Sequence, residues 1–242
     1  AFYKPNYVLP YYYTVSPYNS VYQGNTPYGE SLKNYEFKYQ LSFKIPLWVD
    51  IMQYRTSLYF AYTQLSYWQF YVPYEFIRET DYEPELYLST ETDLHLGNVK
   101  LDFINLGIEH QSNGWGNNLE RTWNRVYGEA ILSTEHLMLS IRPWIILRNG
   151  HLPTYNPDIG KYLGHEKVLM AYKYNDHVFT LALQNLEHIS HYGSQELTWS
   201  FPLFTPYLKG YLQLFSGYGQ SLIEYNHRTN SVGIGVAIND WV

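Results

Sequence analysis

Apolar and polar residues alternate along this chain in segments of about ten, and the spacing of an amphipathic helix is hard to find. The closing stretch "NSVGIGVAINDWV" is the clearest case. Val232, Ile234, Val236 and Ile238 form one row, and Ser231, Gly233, Gly235 and Ala237 form the other. Read this way, the sequence predicts twelve strands, at roughly 7–16, 36–50, 56–70, 83–92, 98–110, 121–133, 138–149, 162–174, 178–188, 194–202, 207–222 and 230–241. Mostly longer polar loops follow the odd strands, such as "PYNSVYQGNTPYGESLKNY", "YVPYEFIRETDY" and "GHLPTYNPDIGK". Short turns follow the even ones, such as "DIMQY", "STEH" and "YNDH". An even strand count with long loops at one end and tight turns at the other is the pattern of an outer-membrane barrel. No linker, low-complexity run or repeat divides the sequence, so residues 1–242 are expected to form a single all-β domain, a 12-stranded antiparallel transmembrane β-barrel. A soluble up-and-down barrel is the alternative, with its apolar row turned inward; alternation by itself does not choose between them.

Composition moves the balance toward the membrane. The chain holds 28 Tyr, 7 Trp and 11 Phe, yet its mean hydropathy is only -0.36. Rings with an apolar body and a polar tip suit a membrane–water interface. No run reaches the ~18 apolar residues of a membrane helix, which leaves a closed barrel as the way to satisfy the backbone in lipid. The net charge of -6 carries no basic stripe, which excludes nucleic acid as the expected partner. Without cysteine there is neither a disulfide scaffold nor a thiolate metal site. The first residues, "AFYKPNYVLPYYYTV", lack a charged start followed by an apolar core. Either a signal peptide is absent from a mature chain or there never was one. Proline inside "IPLWVDI" and "IRPWIIL" predicts bulges or kinks, because proline cannot donate to the ladder.

The same alternation locates candidate chemistry. In the fifth strand, "KLDFINLGIEHQS", Ile104, Leu106 and Ile108 share a row that His110 and Ser112 continue. Asn105, Gly107, Glu109 and Gln111 make the opposite, lumenal row. In the next strand Val126, Gly128, Ala130 and Leu132 form the apolar row, and Asn124 continues it. Three polar residues thus meet on lipid-facing rows at the long-loop rim, where each is costly without a partner. Together they match a serine nucleophile, an imidazole base and an amide acceptor that fixes the tautomer. Separately, each reads as an ordinary interfacial polar residue. Gly114 and Gly116 read as turn formers, or as sites of close backbone approach with an N–H for an oxyanion. Gln64 follows Leu58, Phe60 and Tyr62 on a row of strand three. Facing lipid, its amide would gain from a partner barrel; with the parity inverted it would be a lumenal residue.

The stretch "HQSNGWGNNLERTWNRVY" closely resembles the active-site segment of the outer-membrane phospholipase A family, His-x-Ser-Asn-Gly followed by a loop and Trp-Asn-Arg. "YTQLSYWQ", "RETDYEPEL", "NPDIGKYLG", "SGYGQSLIEYN" and "GIGVAIND" agree, in family order over nearly the whole chain. The resemblance implies a Gram-negative outer-membrane barrel that hydrolyses phospholipid acyl esters with A1, A2 and lysophospholipase activity. It also implies Ca²⁺ as cofactor and activation by reversible homodimerisation. By position, Ser112 is the nucleophile, His110 the base, Asn124 its orienting partner, and the backbone at Gly114 an oxyanion donor. Calcium ligands fall on the Trp115 carbonyl and the Glu120 side chain, where relatives usually carry a hydroxyl. A second-subunit ligand falls nearest Tyr74, in a stretch that lacks the family's serine. A channel without enzymatic activity is the competing class, with lumenal residues such as Arg125 and Glu129 pairing to plug the bore.

Overall fold

Strands alternating between apolar and small or polar residues hydrogen-bond in sequence order until the last meets the first. The computed structural model describes residues 1–148 and 155–242. Among the described residues there are twelve long strands: β1 (Tyr7–Thr14), β2 (Tyr35–Trp48), β3 (Thr56–Gln69), β4 (Phe76–Glu91), β5 (Val99–Ser112) and β6 (Thr122–Ser133), then β7 (Leu137–Leu147), β8 (Glu166–Tyr174), β9 (His177–Gln184), β10 (Ser194–Pro202), β11 (Lys209–Tyr218) and β12 (Arg228–Ala237). A two-residue piece, His95–Leu96, pairs with the start of β5. Every long strand is antiparallel to its neighbours, and β1 pairs with β12, so the sheet is a closed 12-stranded barrel. Closure leaves no unpaired edge, the condition for a sheet in hydrocarbon.

The facing rule holds on the diagnostic strands. On β12, Val232 and Ile234 are exposed while Ser231, Gly233 and Ala237 are buried. On β5, Ile104, Leu106 and Ile108 are 48, 59 and 52% exposed, against buried Asn105, Gly107 and Glu109. The apolar rows therefore face outward, which is the arrangement for lipid and rules out the inward-facing core of a soluble barrel. No helix of the described residues is long and apolar enough to cross a membrane.

The lumen is filled with paired charges. Arg78 donates to Glu36 at 2.7 Å, and Arg142 reaches Glu85, Glu109 and Glu129, each at 3.2 Å. Arg125 pairs with Glu109. The expected Arg125–Glu129 pairing is thus replaced by two others, since register sets Arg125 beside Glu109 and Arg142 bonds Glu129. The segment 219–225 turns into the long-loop mouth, with Asp81 accepting from the Leu222 N–H at 2.9 Å and Glu79 from the Ile223 N–H at 2.8 Å.

Several boundaries differ from the sequence expectation. β4 begins at Phe76 rather than near residue 83. Arg78, Glu79 and Asp81 look like loop residues in sequence, but here they are buried lumenal groups with partners. The expected strand at 162–174 starts at Glu166, because Ile159–Leu163 is a short helix that buries Ile159 and Leu163 one turn apart. Asn185 in the left-handed region ends β9 early, and Leu186–His188 forms a tight turn of helix. Pro46 sits at a register shift, as expected. Near Pro143 the register with β6 is unchanged, but the pairs between Tyr127↔Trp144 and Ala130↔Ile141 drop out. The end of the expected strand 138–149 and the start of the loop 150–161 lie outside the described residues.

Candidate active site

The β5–β6 pair builds the site by register. His110 pairs with Asn124 and Ser112 with Thr122, and on the other side Ser112 pairs with Tyr82 of β4. Glu85 pairs with Glu109, so Pro84 lies opposite His110, where the ladder skips. Two adjacent lines of outward side chains follow across the wall: Phe43, Tyr62, Pro84, His110, Asn124 and Leu147, and beside it Leu41, Gln64, Tyr82, Ser112 and Thr122. His110, Ser112 and Asn124 thus share the lipid-facing surface at the long-loop rim.

His110 Nδ1 lies 2.6 Å from Asn124 Oδ1. With the amide oxygen toward the ring, Nδ1 carries the proton and Nε2 keeps its lone pair. Ser112 stands two residues along the same row, about 7 Å away along the strand by the usual rise. Among the described residues its hydroxyl makes no hydrogen bond: the structure brings His110 to Asn124 and sets Ser112 on the same outward row without a contact to the imidazole. Such contacts often close only when substrate is bound.

From inside the barrel the pair is held rigid. Trp123 Nε1 donates to Gln111 Oε1 at 2.7 Å, and the Arg125 guanidinium lies 3.9 Å from the Trp123 ring centroid. Gly107 leaves room for Tyr127, whose hydroxyl would lie 2.7 Å from any added Cβ.

The loop after Ser112 is organised by Asn113. Its side-chain oxygen accepts from the Arg121 N–H at 2.9 Å, and its amide donates to the Leu119 carbonyl at 2.8 Å. Asn156 clamps the start of β6 with two bonds to the Thr122 backbone, at 3.1 and 2.9 Å. Gly114 adopts φ +66°, and a Cβ there would sit 3.0 Å from the Tyr82 ring. Its N–H makes no hydrogen bond among the described residues, and it points from the second position after Ser112. Glu120 is exposed and forms no ion pair among the described residues, so its carboxylate is free for a cation. Trp115 is half-buried in the same loop.

Gln64 faces outward with Leu58, Phe60 and Tyr62, and accepts from the Tyr62 hydroxyl at 2.8 Å. It is separated from Ser112 by one strand, β4, roughly 10 Å at the usual spacing. Tyr74 is 51% exposed in the loop between β3 and β4, its ring tilted 41° against that of Tyr28 with centroids 4.3 Å apart. A second acidic group, Glu83, Glu85 and Glu109, gathers on the lumenal side of this same wall. Lys4, Arg125 and Arg142 already neutralise it, so it is separate from the outward-facing rim.

Alternation alone found the three outward polar residues. It missed Tyr82 and Pro84, which reach the site through the β4–β5 closure, and Asn113, whose position directly after Ser112 was the available signal.

The phospholipase A1 family model matches residues 1–238. Phospholipase A1 of Escherichia coli K12 is 35% identical over 240 residues, covering 98% of this chain and 81% of that protein. The solved outer membrane phospholipase A of E. coli superposes with a TM-score of 0.91 at 34% identity, covering 99% of this chain and 91% of the other; one of its solved forms is an asparagine-to-alanine active-site mutant. The outer membrane phospholipase of Salmonella typhi, solved as a dimer with bound calcium, gives a TM-score of 0.92 at 33% identity, over 99 and 92% of the two chains. A closed 12-stranded barrel, an outward imidazole–amide pair beside a serine, and a family match over nearly the full length converge: this chain belongs to the phospholipase A1 family.

Proposed function

We propose that this chain is a calcium-dependent phospholipase A of the Gram-negative outer membrane, hydrolysing acyl esters of diacyl and lysophospholipids through Ser112, His110 and Asn124. The observation that carries the reading is the 2.6 Å contact between His110 Nδ1 and Asn124 Oδ1 on the lipid-facing side, in line with an outward Ser112. Ser112 Oγ attacks the ester carbonyl carbon while His110 Nε2 takes its proton. The amide of Asn124 holds the imidazole in the correct tautomer, without the charge a carboxylate would add. The free N–H of Gly114 donates to the oxyanion. The tetrahedral adduct then collapses, the alcohol of the lysophospholipid leaves with the proton from His110, and water repeats the sequence on the acyl-serine.

The donor set fits calcium, a hard cation that takes carboxylate and carbonyl oxygens. The Trp115 carbonyl and the Glu120 carboxylate would hold it, with Tyr74 of a second copy as the weakest candidate. When bound, the ion supplies positive charge beside the developing oxyanion. Gln64 supports activation by dimerisation: it shares an outward line with Ser112, so a second barrel docked on Gln64 would also border the site. The calcium-bound dimer of the S. typhi relative agrees with this. Substrate would enter from the outer leaflet, at the long-loop rim.

The purified protein should release fatty acid from phospholipid micelles with calcium present and give no large stable conductance in planar bilayers. Pores without hydrolysis would reverse the assignment in favour of a channel.

A further inference from the structure

The short-turn half of the lumen holds a cavity of about 270 Å³, apart from the lipid-facing rim. Its lining carries four cationic side chains, Lys4, Lys44, Arg142 and Lys167, against one carboxylate, Glu129. Two of the cations are spent on neighbours: Lys4 reaches Glu83 at 2.7 Å, and Arg142 bonds Glu85, Glu109 and Glu129. Lys44 and Lys167 form no ion pair among the described residues. Lys44 Nζ instead lies 5.1 Å from the Tyr59 ring centroid. Both are half-buried, where an ammonium without a counter-ion is poorly solvated. The rest of the wall is largely apolar, including Phe103, Met138 and Leu169, and Phe103 remains 38% exposed in this lumenal mouth.

We propose that this cavity binds an amphipathic monoanion, an alkyl carboxylate whose head sits between Lys44 and Lys167 and whose tail lies against Tyr59, Phe103, Met138 and Leu169. A small hydrophilic anion would leave the apolar wall wet, and a neutral alkyl chain would leave both ammoniums unpaired; the amphipathic anion satisfies both. The proposal is independent of the hydrolytic reading, since none of these residues lies on the outer surface that carries Ser112.

The chain has three methionines, and they are placed to report on this. Met138 lines the cavity, Met170 lies on an outward row of β8, and Met52 is exposed in a short turn. Methyl-¹³C-methionine spectra of the full chain in nanodiscs would be titrated with decanoate, decanol and acetate. Decanoate is expected to shift Met138 saturably while leaving Met52 and Met170 nearly in place. Decanol and acetate should bind about tenfold or more weakly, as should decanoate to a Lys44→Gln/Lys167→Gln double variant. Three results would each overturn the proposal: a Met138 unmoved by decanoate, equal shifts from decanol, or undiminished binding in the double variant. The comparison of the three ligands on the unaltered protein stands whether or not the variant folds.

Discussion

Replacing Asn124 by alanine removes the amide that faces the imidazole. The 2.6 Å contact to His110 Nδ1 is the polar partner that register brings to the imidazole, and alanine removes the acceptor while leaving an outward-facing strand position intact. Two consequences follow. The ring loses its tautomer bias, and it loses the anchor that aims Nε2 along the row toward Ser112. A hydrogen bond to a group that becomes charged in the transition state contributes about 1.5–3 kcal/mol, so kcat should fall roughly 10- to 150-fold at nearly constant KM. The loss should stay well short of the roughly 10⁴-fold that follows when a triad carboxylate is replaced by an amide, because alanine removes an acceptor without locking the imidazole in the wrong tautomer. The assay is fatty-acid release from mixed micelles with saturating calcium, with heat-modified gel mobility as the check on folding. A fall of less than twofold would mean that the His110–Asn124 contact is idle. Complete loss in a folded barrel would mean that Asn124 does more than orient a ring.

Other outcomes follow from the same geometry. Gly114→Ala places a side chain at φ +66° and 3.0 Å from the Tyr82 ring; the left-handed backbone alone costs about 1–2 kcal/mol, so kcat should fall at least about tenfold with barrel stability nearly unchanged, as read by thermal unfolding of the sheet signal. Gln64→Ala should weaken self-association roughly fivefold per lost amide bond, about 1 kcal/mol, measured by sedimentation in detergent with calcium; an unaltered association constant would place the dimer face elsewhere. Chelation should silence the enzyme, and Glu120→Gln should raise the calcium needed for half-maximal rate by about tenfold, since ligand charge tunes affinity; an unshifted calcium curve would remove Glu120 from the metal site.

Which parts were legible in the sequence follows from where each signal resides. Strand parity is local, so Val232 and Ile234 facing out, and His110 and Ser112 continuing the row of Ile104 to Ile108, could be read from alternation. Once the apolar rows face lipid, the same parity sets Gln64 outside rather than in the lumen. Buried charge was not legible. Arg78, Glu79 and Asp81 have the composition of a loop, and only the closed wall and the inward-turned segment at 219–225 supply their partners. The same holds for Arg125 and Glu129, whose true partners depend on register across three strands. Trp241 lines two lumenal cavities from beyond the end of β12, a placement that strand parity does not reach. Tyr82 and Pro84 come to the site through the β4–β5 pairing, across a connection whose register no local pattern encodes.

In the proposed function, the Ser112 hydroxyl on the lipid-facing wall is the nucleophile. The decisive experiment is fatty-acid release from phospholipid micelles with calcium, comparing the unaltered chain with Ser112→Ala in barrels shown to be folded. Hydrolysis is expected from the first and background release from the second; turnover that survives the substitution would remove Ser112 from the reaction.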